Sequence, residues 1–355
     1  MDTLILNIGI SFLLGMFLSA LLHIYFYKKT SLNEIFMSSI SAITLASTVG
    51  ITAVSYFFWS GDDFVADMSL KKYLIPLIGS LIVLFASFSL NLLTTIVFAL
   101  IVSIFSIYYT GIIINFADNF PEWLNIILTI TLLWAFACSF YCISGISPFP
   151  PAQGLSIAIG FVILTMLNAA PAVTGYSAAL LSGVLFIAYA RCGYQPINRI
   201  SAITLGYIIG WFGLMAYQEY LLSCFVTFSM CGLIECLVAI YRKIISFPKI
   251  QNTPENTSLF RVLKESDSPQ IVTRFIWSTN TLLVILGIFQ INGPNEFSLP
   301  VFAIILCLWQ QYRLLNWQQP ELSLKEAGKE TLTSLKKSFN TFFKNSDDNK
   351  PTDDK

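Results

Sequence analysis

The acid best placed to do chemistry is Glu235, which lies within the apolar segment Cys-Gly-Leu-Ile-Glu-Cys. A charged side chain inside a membrane-spanning segment is costly, so it is a functional candidate by default. Glu235 precedes Arg242 and Lys243 by about two helical turns. One interpretation is a site for a phosphate-bound metal or a proton. The other is a buried acid that is paired with a hydroxyl group or protonated.

Four basic residues form a second candidate group, namely Arg191, Arg199, Arg242 and Lys243. Each stands next to an apolar run, and cations at a membrane surface can hold a lipid phosphate. The ordinary excess of basic residues on the cytoplasmic side is the simpler explanation for them. The sequence leaves both explanations open.

Other common catalytic and metal-binding patterns are missing from the sequence. His23 is the single histidine, so neither a multi-histidine metal site nor a Ser-His-Asp set can form, and we expect it at the membrane interface. The seven cysteines show no metal or disulfide spacing, and they are typical of small buried apolar residues. No glycine-rich phosphate loop is present. We therefore predict no metal site.

The composition places these residues in a membrane protein. Of 355 residues, 55% are hydrophobic and 11% are charged, and the mean hydropathy is +0.71. A soluble domain carries about 25% charged residues. The 20 basic residues balance 20 acidic ones, which excludes a strong net field for nucleic acid. Because the apolar runs are continuous and do not alternate, they predict helices and not a β-barrel.

The fold prediction is an all-α polytopic protein with about eleven transmembrane helices. With edges uncertain by a few residues, the spans are 4–27, 36–59, 74–90, 92–115, 123–143, 154–173, 176–190, 200–217, 219–241, 274–291 and 297–315. All basic residues except Lys71 and Lys72 fall on one side of the alternating loops. The positive-inside rule then places the N-terminus outside and the C-terminus in the cytoplasm, in a multi-pass protein of the inner membrane.

The predicted domain organisation is a transmembrane domain, 1–318, an amphipathic membrane-surface helix, 319–345, and a disordered tail, 346–355. Three predicted cytoplasmic segments are longer, or contain more proline or basic residues, than a simple link between two helices requires. They are Ser144–Gln153, Arg191–Arg199 and Arg242–Thr273. We expect them to converge on one cytoplasmic cleft.

The segment from Trp134 to Ser156 resembles, without a gap, the cytoplasmic-loop motif of the polyprenyl-phosphate N-acetylhexosamine-1-phosphate transferases. That motif reads roughly W-x5-N-A-x-N-x-x-D-G-x-D-G-L-x-x-G-L-S. A second segment, from Pro196 to Gly210, resembles the family's P-A-K-V-F-M-G-D-x-G-S-L-F-L-G. Glu235, followed by Arg242, is similar to a later family helix with an intramembrane acid and trailing basic residues. The resemblance extends over about residues 1–290.

The chain departs from this family at the residues that do the chemistry. Ile146 and Phe149 stand at the positions of the two loop aspartates, and Ile203 stands at the catalytic aspartate of the second motif. The first acidic pair of the family falls near Ser87, and no histidine replaces the family's histidine motif near Arg261. In the family, Mg²⁺ bridges diphosphate oxygens and prefers carboxylate ligands. We therefore expect no intact catalytic residues and no cofactor.

The resemblance implies a catalytically degenerate homologue that binds polyprenyl phosphate or another membrane lipid, or a partner in cell-envelope glycan assembly. One alternative is an active transferase that uses Mg²⁺ and non-standard carboxylates, such as Glu235 with Glu255 or Glu265. Another is an unrelated transporter with helices broken near Gly206 and Pro171. We expect no nucleic-acid partner, and the sequence leaves a homodimer open.

Overall fold

The computed structural model describes residues 2–29, 35–58, 68–89, 91–116, 119–146, 148–192, 197, 200–218, 221–245, 259, 262–263, 269–292 and 298–316. Within these ranges the chain forms α-helices and no β-strand. The helices are α1 (Asp2–Lys29), α2 (Ile35–Phe58), α3 (Met68–Ser89), α4 (Leu92–Thr110), α5 (Glu122–Ile143), α6 (Phe149–Met166), α7 (Ala172–Arg191), α8 (Ala202–Gln218), α9 (Leu222–Ile245), α10 (Pro269–Phe289) and α11 (Ser298–Leu315). A short 3-10 turn, Gln290–Asn292, follows α10.

Seven of the described helices are long and apolar enough to cross a membrane, namely α1, α4, α5, α6, α7, α9 and α10. The other four contain shorter apolar stretches. The prediction of a helical, multi-pass membrane protein is therefore confirmed, whereas the number of spans and their orientation remain predictions.

The surface of the helices is apolar, as a lipid environment requires. Large side chains such as Leu13, Phe85 and Tyr108 are exposed, the last by 80%. Many buried hydroxyl groups bond within their own helix instead; Ser103 Oγ, for example, donates to Ala99 O at 2.8 Å. Hydrocarbon outside and satisfied small polar groups inside are typical of packed transmembrane helices.

Two glycines bring α1 and α7 into backbone contact. A Cβ atom at Gly15 would lie 2.1 Å from the carbonyl oxygen of Leu180, and one at Gly183 would lie 2.2 Å from that of Phe12. Asn7 Nδ2 donates to Tyr176 Oη at 3.3 Å, and Ser19 Oγ donates to Val184 O at 3.2 Å. From Asn7–Tyr176 to Ser19–Val184 the contacts advance along both helices in the same direction, so α1 and α7 run parallel.

The centre of the bundle is formed where α5 packs closely against α8. A Cβ atom at Gly206 would lie 2.6 Å from the carbonyl oxygen of Ala137, so no larger residue fits without movement of a helix. One residue further on, the buried Tyr207 hydroxyl lies 2.5 Å from Ser106 Oγ of α4. This packing fixes the start of α8 beside the end of α5.

Helix α6 lies antiparallel to both α7 and α9. Gly154 packs against Leu185 of α7, and a Cβ at Gly160 would lie 2.5 Å from the Phe228 ring of α9. The end of the bundle at which α6 begins is therefore the end at which α7 and α9 finish. We call it the basic end, because Arg191 and Arg242 lie in the last turns of α7 and α9.

Helix α6 begins earlier than the sequence suggested. The predicted span starts at residue 154, but the helix starts at Phe149, and Pro150 and Pro151 are buried in its first turn. Proline is tolerated there because the first backbone N–H groups of a helix have no intrahelical partner. Within Ser144–Gln153, the described residues are turn positions followed by the first turn of α6.

The chain divides into two compact units, Met1–Leu314 and Leu315–Lys355. Helices α1 to α10, and α11 up to Leu314, belong to the first unit. The amphipathic helix predicted at 319–345 and the tail predicted at 346–355 lie outside the described residues.

Candidate functional site

The turn between α5 and α6 positions Ile146 and Phe149, which the sequence resemblance aligns with two aspartates of the transferase motif. Ser144 N donates to Phe140 O at 3.0 Å and ends α5, and Phe149 N donates to Ile146 O at 2.9 Å and starts α6. The Ile146 side chain is buried, and that of Phe149 has no solvent exposure. Both residues fill space between helices and present no polar atom to an aqueous cleft.

Ile203, the third of these residues, lies in the first turn of α8 and is fully buried. It belongs to an apolar cluster that includes Leu133 and Ala137 of α5 and Tyr207 of α8. The close approach of α5 and α8 at Gly206 leaves this position inside the helix interface. Ile203 therefore contributes van der Waals packing between α5 and α8.

Magnesium does not fit the residues at these three positions. The ion is held by oxygen ligands, above all carboxylates and water. Ile146, Phe149 and Ile203 have no ligand atom in their side chains. Among the described residues, no three His, Cys, Asp or Glu side chains are grouped so as to hold a metal ion.

Of the four candidate phosphate contacts, the structure describes the side chains of Arg191 and Arg242. Arg191 is in the last turn of α7, where a cation also interacts favourably with the helix dipole, and its side chain is half-buried. The Arg242 side chain is also half-buried, near the end of α9. Both lie at the basic end of the bundle. Arg199 and the side chain of Lys243 lie outside the described residues.

Glu235 is fully buried, in the third turn from the end of α9. Gln311 Nε2 of α11 donates to Glu235 Oε1 at 2.5 Å. The Gln311 side chain is buried as well. Sequence reasoning identified the acid but missed the amide, for which the signal was the Gln310-Gln311 pair within an otherwise apolar span.

Two further buried amides lie on the helices around α9. Gln153 Nε2 of α6 donates to the carbonyl oxygen of Phe228 at 2.8 Å, while its Oε1 has no hydrogen-bond partner among the described residues. Asn280 of α10 is fully buried, and neither of its amide atoms has a partner within the described part of the chain. A buried amide without a partner costs about 1–3 kcal/mol.

A narrow apolar cleft opens near the end of the bundle opposite the basic end. It is lined by residues of α2, α3, α7 and α8, namely Ile51, Pro76, Leu77, Thr174, Ile208, Trp211, Phe212 and Met215. The indole N–H of Trp211 is buried and has no acceptor among the described residues. The cleft suits hydrocarbon, and the polar side-chain groups of its lining are the Thr174 hydroxyl and the Trp211 N–H.

The His23 side chain has no solvent exposure and lies within α1, where Nδ1 is 2.7 Å from Ser19 O. It is therefore packed against neighbouring helices, and its position at the membrane interface stays a prediction.

Comparison with known protein families finds no match for this chain, and comparison with curated proteins finds none either.

Proposed function

We propose that this chain is an eleven-span inner-membrane protein with the fold of the polyprenyl-phosphate N-acetylhexosamine-1-phosphate transferases. In this proposal it binds the phosphate of a polyprenyl lipid at the basic end of its bundle and transfers no sugar phosphate. Its role is then lipid binding, or contact with a partner protein, in cell-envelope glycan assembly.

The topology is supported by helix order and direction. The described helices follow the predicted spans one for one. The parallel course of α1 and α7 is required if both are odd-numbered spans of an alternating bundle. With nearly all basic residues in one set of loops, the basic end lies in the cytoplasm and the N-terminus lies outside.

The absence of transfer chemistry rests on one observation, the burial of Ile146, Phe149 and Ile203. Phosphoryl transfer requires charge neutralisation and positioning of the phosphates. Hydrocarbon at three positions inside the helix packing supplies neither. A diphosphate moved there would lose hydration without compensation, at a cost of several kcal/mol.

Binding of a lipid phosphate requires cationic side chains but no metal ion and no catalytic carboxylate. Arg191 and Arg242 end two helices that both pack against α6, so the two guanidinium groups belong to the same end of the bundle. Arginine forms strong, charge-assisted hydrogen bonds with phosphate oxygens. Arg199 and Lys243 add positive charge nearby in the sequence.

Lipid retention measured by native mass spectrometry tests the proposal. We expect the detergent-purified protein to retain polyprenyl monophosphate at least about tenfold better than unphosphorylated polyprenol, as one charged hydrogen bond of about 1.4 kcal/mol implies. Replacing Arg191→Gln and Arg242→Gln together removes the preference.

The matched control is Arg313→Gln, which changes another arginine in the last turn of a helix. The Arg313 guanidinium lies 5.1 Å from the centre of the Trp309 ring and has no place in the proposed contact. This variant keeps the preference for phosphate. Equal retention of phosphate and alcohol by the wild type would contradict the proposal.

Two alternative functions remain, an active transferase and a transporter. An active transferase that relies on Glu235 is disfavoured, because that carboxyl is fully buried and accepts a hydrogen bond from Gln311. A transporter is the second candidate, and the buried polar contact between α9 and α11 is the observation that favours it. The helix break expected near Gly206 was wrong, because α8 is continuous from Ala202 to Gln218. Uptake or counterflow in proteoliposomes separates transport from lipid binding.

A further inference from the structure

Three helices meet at the ring of Phe228. A Cβ atom at Gly160 of α6 would lie 2.5 Å from this ring, and one at Gly287 of α10 would lie 2.3 Å from it. The Phe228 ring therefore packs between the two glycines, in contact with both α6 and α10. This contact fixes the register of α6, α9 and α10 relative to one another.

Helix α10 starts at the basic end, as its contact with α7 shows. Trp277 Nε1 donates to Tyr189 Oη at 2.8 Å, two residues before the end of α7. Since α9 finishes at this end and α10 runs away from it, α9 and α10 are antiparallel. Helix α6 also begins at the basic end, so α6 and α10 run away from this end and α9 runs toward it.

The register brings the backbone positions of three buried polar residues to one level, and the Gln153 side chain extends from that level to the carbonyl oxygen of Phe228. Gln153, Glu235 and Asn280 each lie seven residues, or about 10 Å, from the Phe228 contact, and all three are displaced toward the basic end. A Cβ atom at Gly232 would lie 3.3 Å from Gln153 Cγ, which places that amide beside the turn of α9 that precedes Glu235. Gln311 joins the level through its bond to Glu235.

Two amide oxygens at this level have no hydrogen-bond partner within the described ranges, Gln153 Oε1 and Asn280 Oδ1. The side chains are 1% and 0% exposed. Inside a membrane domain there is little bulk water to satisfy them, so their lone pairs require an internal partner. With the carboxylate of Glu235 they form a set of oxygen ligands, which is the chemistry that hard cations prefer.

The charge of this set selects a monovalent ion. Glu235 is the one acid whose described side chain is buried. A single carboxylate neutralises one positive charge, whereas a divalent ion would leave a net charge in a medium where unpaired charge is very costly.

We infer that Gln153, Glu235 and Asn280 bind a monovalent alkali cation between α6, α9 and α10, with Gln311 holding the carboxylate in place. Water bound to the ion supplies an acceptor for the Asn280 N–H. This inference does not depend on the proposed lipid function.

The experiment is thermal unfolding of the purified full-length protein in detergent, with NaCl replacing choline chloride at constant ionic strength. We expect a saturable rise in the midpoint, about 5 °C when sodium exceeds its dissociation constant about a hundredfold. KCl in place of NaCl reports which alkali ion fits better. No response to either ion would overturn the inference.

Variants assign the response to the site. Glu235→Gln keeps the shape of the side chain but removes its charge, and we expect the sodium response to disappear. If this variant does not fold, Asn280→Leu gives the same test from α10. The control Gln290→Leu changes a buried amide in the 3-10 turn after α10 and keeps the response. A sodium response that survives both site variants, or one that pH alone reproduces in choline, rejects a metal cation at this site.

Discussion

The substitution Ile203→Asp should destabilise this protein and create no magnesium site. Position 203 aligns with the catalytic aspartate of the transferase family that the sequence resembles. The Ile203 side chain is fully buried against α5, beside the point where Gly206 meets the backbone of Ala137. The aspartate loses the van der Waals contacts of the isoleucine, and its unpartnered polar group costs about 1–3 kcal/mol even when it is protonated. An ionised, unpaired carboxylate costs more still. The change therefore removes a large part of a typical stability of about 5–15 kcal/mol.

The assay is thermal unfolding of Ile203→Asp in detergent, with and without Mg²⁺. The control is Ile203→Val, which removes one methylene group and should cost about 0.5–1.5 kcal/mol. We expect the aspartate variant to unfold at a much lower temperature, with no response to Mg²⁺. If it is as stable as the valine variant and Mg²⁺ raises its midpoint, position 203 faces a hydrated site and the reasoning is wrong.

Three further predictions concern other parts of the molecule. Gln311→Leu removes the donor to the buried acid and should lower stability by about 1.5–3 kcal/mol in thermal unfolding, whereas Gln310→Leu, whose N–H₂ has no partner among the described residues, should cost little or be stabilising. Trp211→Phe removes an N–H group without a described acceptor and should leave stability unchanged or raise it by about 1 kcal/mol; a clear loss would show that this N–H has an acceptor. In a cysteine-depleted background, a cysteine in place of Asp62 should react with an impermeant reagent from outside and one in place of Asn252 only from inside, and the reverse pattern would contradict the orientation.

The helices were predictable from sequence because long apolar runs have few alternatives in a membrane. The start of α6 was not, since Pro150 and Pro151 are typical of a loop and yet also fit the first turn of a helix. The structure shows that both prolines belong to the first turn of α6 and not to a loop.

The partners of buried polar residues were also beyond the sequence. Glu235 was recognisable as an acid in an apolar run, but its donor Gln311 lies 76 residues away on another helix. The burial of His23 shows the same limit, because the sequence near the end of an apolar run does not reveal which helices pack against it. Pairing of this kind depends on helix register, which glycines such as Gly160 and Gly287 set through contacts in three dimensions.

The most direct test of the proposed function measures sugar-phosphate transfer by the purified protein. The reaction contains radiolabelled UDP-N-acetylglucosamine or UDP-N-acetylmuramoyl-pentapeptide, a polyprenyl phosphate acceptor and Mg²⁺. Because Ile146, Phe149 and Ile203 supply no ligand for the ion, we predict no product above a membrane blank under conditions in which the lipid phosphate is retained. Turnover above that blank, lost on Glu235→Gln, would contradict the proposal and establish an active transferase.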